Sequence, residues 1–143
     1  MATNTPDNRQ PTTDNRAMSD NKGNILLVED DQNLGFVVQD ALKRKGYTVH
    51  LVNPGQAGRE ILGQTVYATL ADVPPTVDVV DVFRNSEAAL EVTRAAIRLK
   101  DQLQIKAVWM QIGVRNDVAA AEAEAAGLKV VMDRCPKIEY AWL

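Results

Sequence analysis

The chain has 143 residues, 45% of them hydrophobic and 24% charged, with a net charge of −3, which suits one soluble domain and leaves little room for two. The acidic balance argues against nucleic acid as a partner, because phosphate-backbone binding needs clustered Lys and Arg. No apolar run approaches the roughly 18–20 residues that cross a bilayer, the polar amino terminus lacks the apolar core of a secretory signal, and a lone Cys135 and lone His50 exclude an internal disulfide and an ordinary zinc site.

The first 24 residues hold no Val, Ile, Leu or aromatic side chain, so Met1 to about Gly23 reads as a disordered tail that cannot offset its ordering entropy. A cytoplasmic single domain is expected over residues 24–143. Short apolar runs at Ile25–Val28, Thr48–Val52, Val77–Val82, Ala107–Met110 and Leu128–Met132 have the near-continuous pattern of strands buried on both faces. Between the first two, Leu34, Val37, Val38, Ala41 and Leu42 form a helical stripe that ends in Lys43, Arg44 and Lys45, with Gly46 placed as a left-handed cap.

Residues 53–62 predict a turn and a short helix, Val66–Thr69 a small edge strand, and 72–76 a loop with two prolines. A second helix is predicted from Ser86 to about Lys100, with Ala89, Val92, Ala96 and Leu99 inward. A third is predicted from the N-cap Asn116 to Gly127, burying Val118, Ala121 and Ala125. Strands and helices alternating in this way give a parallel sheet with right-handed crossovers. The fold class is therefore α/β, a three-layer α/β/α sandwich. Its parallel five-stranded sheet has the flavodoxin-like order 2-1-3-4-5, or the Rossmann-like order 3-2-1-4-5-6 if the edge strand at 66–69 forms.

Two resemblances meet near residue 51. The stretches Val52-Asn-Pro-Gly-Gln-Ala-Gly58, Tyr67-Ala-Thr-Leu-Ala-Asp-Val-Pro74, Val77-Asp-Val-Val-Asp-Val-Phe-Arg-Asn-Ser-Glu87, Val108-Trp-Met-Gln-Ile-Gly-Val-Arg-Asn116 and Ala126-Gly-Leu-Lys-Val-Val-Met-Asp-Arg-Cys-Pro136 resemble the small bacterial CoA-binding proteins with a Rossmann-like fold. Asn24-Ile-Leu-Leu-Val-Glu-Asp-Asp31, followed by Leu34–Lys45 and Gly46-Tyr-Thr-Val49, instead resembles the first βαβ unit of a response-regulator receiver domain. The small CoA-binding proteins would carry a Gly-Ser or Gly-Ala loop there. The chain thus reads as a hybrid, and the expectation is an engineered chimera.

Receiver chemistry, as the second resemblance implies it, uses an acidic pair after the first strand and an acceptor Asp ending the third. Glu29 and Asp30 fit the pair, but the acceptor position falls on Phe83 and the later Lys position near Cys135. Phosphoryl transfer is not expected. Glu29 and Asp30 remain a weak candidate for a divalent cation, although specific Mg²⁺ binding is not expected and a solvated acidic loop is the alternative.

The first resemblance implies CoA or a related nucleotide as the ligand, with its pyrophosphate at the N-terminus of the first helix, where backbone N–H groups favour an anion. Here that place carries Glu29, Asp30 and Asp31, so CoA binding is expected to be weakened or lost. By resemblance, Asn53 and Pro54 after the second strand, Val82, Phe83 and Arg84 after the next core strand, and Gln111 and Gly113 line the cleft. Arg84 stands either to contact a phosphate or to be a solvated charge. Phe83 stands either to stack on a base or to pack in the rim. Cys135 reads as an inert thiol and His50 as structural, no catalytic constellation is present, and a non-enzymatic monomer is expected. The alternatives are a ligand-free chimeric scaffold and a receiver-like domain that binds a cation without phosphorylation.

Overall fold

The computed structural model describes residues 21–29, 32–61 and 63–134. The elements run β1 (Asn24–Glu29), α1 (Gln32–Arg44), β2 (Thr48–Val52), β3 (Glu60–Ile61), β4 (Gln64–Tyr67), β5 (Val79–Phe83), α2 (Ser86–Leu103), β6 (Ala107–Met110), α3 (Asp117–Ala125) and β7 (Lys129–Val131). The sheet has seven strands in the order β3-β4-β2-β1-β5-β6-β7. All pairs are parallel except β3 with β4.

The edge strand forms, two residues earlier than the sequence suggests, and pairs Leu51 with Val66 and Val52 with Tyr67. The parallel order is therefore the Rossmann-like alternative, not the five-stranded one. The short helix expected after Asn53 is replaced by a 3₁₀ turn at Pro54–Gln56 and by β3, whose antiparallel pairing is closed at Gly63, φ +78°. A left-handed residue is what so tight a connection requires.

Side-chain alternation divides the core between the two faces. Ile25, Leu27, Val49, Leu51, Val79 and Trp109 meet Val38 and Leu42 of α1. Leu26, Val28, Val80, Val82, Val108 and Met110 meet Ala89, Val92 and Ala96 of α2 and Ala119 and Ala123 of α3. Both faces are covered, which is why the strands read as continuous apolar runs.

Two predicted helix faces and one strand start are corrected. Val37 is half exposed because α1 turns its 38/42 edge to the sheet, while the Leu34 side chain lies outside the described residues. In α3, Val118, Ala121 and Ala125 face solvent and Ala119, Ala120 and Ala123 are buried; an alanine-rich helix carries almost no amphipathic signal, so one Val misplaced the face. The strand predicted from Val77 begins at Val79, because the Val77 and Asp78 amides bond Leu103 and Asn24 carbonyls (2.8 Å each) ahead of the ladder.

The Lys22 amide donates to the Gly46 carbonyl (3.0 Å), and the Thr48 amide donates to the Gly23 carbonyl (2.9 Å). These residues are therefore the first link between β1 and the start of β2.

Candidate functional site

From β1 the chain winds one way to β2 and β4, and from β5 the other way to β6 and β7. The C-terminal ends of β1 and β5 are thus the switch point at which open α/β sheets bind ligands. On the α1 face of this edge lies a set of buried polar side chains. Glu29 ends β1 and Asn53 follows β2, and the Asn53 amide donates to Glu29 Oε1 at 3.3 Å. Asn53 Oδ1 accepts from the Gly55 amide at 3.0 Å, so the same side chain fixes the turn that presents Pro54. One strand over, the Gln111 amide donates to both oxygens of the fully buried Asp81, 2.9 Å each.

The α2 face of the same edge holds a cleft of about 280 Å³ between α2 and the 68–71 turn. Pro54 and Arg84 stand at its crevice end. The turn is held by Asp72, whose Oδ2 accepts from the Thr69 amide at 3.2 Å and hydroxyl at 3.0 Å. The β4-to-β5 connection crosses this face as a 3₁₀ turn at Leu70–Asp72 with no α-helix, and the cleft opens beside it.

The expected cleft residues separate into groups. Pro54 is exposed, Arg84 is half buried, and both line the cleft. Asn53 and Gln111 are buried and act through the hydrogen bonds above. Val82 is fully buried in the core on the α2 side, so it offers the crevice backbone only; its carbonyl accepts from the Gln111 amide at 3.2 Å. Phe83 is half buried against the α1-side core. Gly113 adopts φ +86°, which turns the chain after β6. Its amide donates to Asp133 Oδ1 at 2.6 Å, and the same loop is held by Ser86, whose hydroxyl accepts from the Arg115 amide at 3.0 Å.

Asp30, Asp31 and Cys135 lie outside the described residues. Among the described residues no three His, Cys, Asp or Glu side chains converge as a metal site. Glu29 is buried, and its Oε1 accepts from the Asn53 amide. No helix among the described residues is long and apolar enough to cross a membrane.

Sequence reasoning missed Glu91, Arg98 and the 68–71 turn, which line the cleft with Arg84. The available signal was the i, i+4, i+7 recurrence of Glu91, Ala95 and Arg98 on one stripe of α2. A larger groove of about 660 Å³ opens at the opposite, N-terminal edge of the sheet, around Tyr47 and Asp78. Its carboxylate is already committed, to the Asn24 amide at 2.8 Å and to Lys106 at 3.1 Å, and it is remote from the switch point. His50 is half buried, meets the Tyr67 ring edge-on at 6.2 Å, and is pushed below its ordinary pKa by burial.

Residues 25–141 match the CoA binding domain family. The chain belongs to that family. The match begins at residue 25 and so runs through the receiver-like stretch. This CoA binding domain protein is 30% identical over 117 residues to the uncharacterized protein YneT of Bacillus subtilis, covering 82% of each chain. A hypothetical protein from Pyrococcus horikoshii shares the fold with a TM-score of 0.74 at 29% identity, covering 100% of this chain and 99% of that one. A shorter likeness, 49% over 39 residues, links 27% of this chain with 16% of the transcriptional regulatory protein RprY of Bacteroides fragilis.

Proposed function

We propose that this chain is a non-enzymatic, monomeric, cytoplasmic binder of CoA or a CoA-type nucleotide, with the ligand laid across the C-terminal ends of β1, β2, β5 and β6. The observation that carries the reading is the cleft at the switch point flanked by Pro54 and Arg84, in a chain of the CoA binding domain family. Arg84 supplies positive charge, Pro54 a flat apolar edge, and the Gln111–Gly113 turn the far wall.

The hold on the pyrophosphate is weakened. Glu29 is the last residue of β1, and Asp30 and Asp31 follow it in sequence before α1, where the anion would meet the helix N-terminus. At about 4 Å a like-charge contact costs about 1 kcal/mol in bulk water and about 4 kcal/mol at an effective dielectric near 20. Several such contacts outweigh the modest gain that a helix dipole offers, typically about 0.3–1 kcal/mol. The short likeness to RprY supports the further reading that residues 24–51 are a receiver-type unit joined by design to a CoA-binding-type remainder. Phe83 at the acceptor position leaves that unit without the phosphoryl acceptor of receiver chemistry.

Titration of the isotope-labelled chain with CoA tests this reading. Amide shifts are expected at Asn53, Gly55, Arg84 and Gln111–Gly113, with weak affinity. Shifts confined to the opposite edge, around Tyr47 and Lys106, overturn it.

A further inference from the structure

We propose that the groove at the N-terminal edge of the sheet is a second binding site, and that it takes a small flat dicarboxylate between Lys22 and Lys129. The inference goes beyond the CoA-type reading and does not rest on it.

The floor of the groove is one row of the sheet. Strand register sets Ile25 beside Val79, Val79 beside Ala107, and Ala107 beside Lys129. Residues in register across parallel strands share a face, so three apolar side chains lead to one ammonium group. Tyr47, just before β2, lines the other end. Burial pushes its phenol above the ordinary pKa, so this wall is flat and uncharged. The volume, about 660 Å³, falls within the range of small-molecule sites, roughly 300–1,000 Å³.

The charges around this floor do not cancel. Lys22, Lys106 and Lys129 line the groove, with Asp78 as the carboxylate among the described residues. Asp78 is engaged by Lys106 at 3.1 Å and by the Asn24 amide at 2.8 Å. Lys22 and Lys129 are exposed, and among the described residues neither has an ion-pair partner. Two uncompensated positive charges thus face the groove in a chain of net charge −3. Helix dipoles do not account for them. Lys43 and Arg44 occupy the last turn of α1, where cations offset the dipole, whereas Lys22 precedes β1 and Lys129 opens β7.

These features select the ligand class. A cation is repelled, a simple inorganic anion leaves the apolar floor unused, and a neutral apolar molecule leaves the two charges unused. An organic dianion with a flat apolar body uses both. The described lining contains no Arg, the side chain whose fork matches phosphate; Lys offers a point charge on a flexible stem, which a carboxylate satisfies. Three strand spacings, about 14 Å, separate the β1 and β7 backbones, and the two lysine stems shorten that span to the length of a small aromatic dicarboxylate.

The test is titration of the full isotope-labelled chain with naphthalene-2,6-dicarboxylate, 2-naphthoate and 2-naphthyl phosphate. The dicarboxylate is expected to bind at least tenfold more tightly than the monocarboxylate and to shift the amides of Gly23, Tyr47, Ala107 and Lys129. K22Q and K129Q are each expected to remove most of that preference while leaving 2-naphthoate binding nearly unchanged. K100Q, which removes a charge from the last turn of α2 outside the groove, is expected to leave the preference intact. Equal affinity for the two carboxylates, no binding of the dicarboxylate, or a preference that survives both K22Q and K129Q would each overturn the proposal. Tighter binding of 2-naphthyl phosphate would overturn the choice of carboxylate, and an equal loss in K100Q would reduce the site to a diffuse basic edge. Affinity that weakens as the chain is concentrated would seat a second copy on the groove and also overturn it.

Discussion

The Gln111 side-chain nitrogen lies 2.9 Å from each carboxylate oxygen of Asp81, tying the chain just past β6 to the middle of β5. Both residues are buried. The contact sets the point from which the Gln111–Gly113 turn leaves the sheet. Q111A removes a donor from a buried carboxylate and is expected to cost about 2 kcal/mol, lowering the melting temperature by roughly 8 °C in a domain of this size. An unchanged melting curve would mean that Asp81 is satisfied without Gln111.

The orientation of α3 gives a second test. Ala123 is fully buried and Ala121 is exposed. A123L is expected to overpack the sheet contact at a cost of about 1–3 kcal/mol, whereas A121L should stay within about 0.5 kcal/mol. Denaturant unfolding of the two variants distinguishes this face from the one that Val118 alone suggests; the reverse ranking would restore the sequence-based face.

Legibility in the sequence followed the strength of the side-chain pattern. β2 and β6 were placed to the residue because β-branched and apolar runs buried on both faces leave no polar register to mistake. The start of α2 was marked by a true cap, the Asn85 side chain accepting from the Ala88 amide at 2.7 Å. β3 could not be read: two residues held by one antiparallel pairing to β4 have no periodicity. The cleft was half legible. Pro54 and Arg84 lie next to strand ends in sequence, whereas Glu91 and Arg98 share one stripe of α2 and reach the same space only because the β4-to-β5 connection folds against that helix. Val82 is fully buried in the core, whereas Phe83 and Arg84 beside it are half buried.

The half-buried His50 makes stability depend on pH in a definite direction. Burial lowers its pKa below the ordinary 6.5, so between the folded and unfolded values the unfolded chain binds more protons. Its stabilising effect is full above the unfolded value and is lost as pH falls from about 6.5 toward the folded value. H50Q is expected to show a smaller fall in melting temperature between pH 7.5 and 5.5 than the parent chain. An equal fall in both would assign the acid sensitivity elsewhere.

Two truncations test where the fold begins. Removing residues 1–23 deletes the hydrogen bonds of Lys22 with Gly46 and of Gly23 with Thr48, each worth about 1 kcal/mol. Removing only residues 1–20 keeps both. The longer deletion is expected to melt several degrees below the shorter one, and coincident melting would place the start of the fold at β1 itself.

The proposed CoA-type crevice would sit beside the three carboxylates of Glu29, Asp30 and Asp31, whose charge opposes a pyrophosphate. The most direct measurement is calorimetric titration of CoA into the parent chain and into the triple variant E29Q/D30N/D31N, in which the E29Q change keeps a side-chain oxygen for the Asn53 amide. The parent is expected to show a dissociation constant weaker than about 100 μM, and the neutralised variant at least tenfold tightening, about 1.4 kcal/mol. A parent dissociation constant below about 10 μM, or no tightening on removing the three charges, would contradict it.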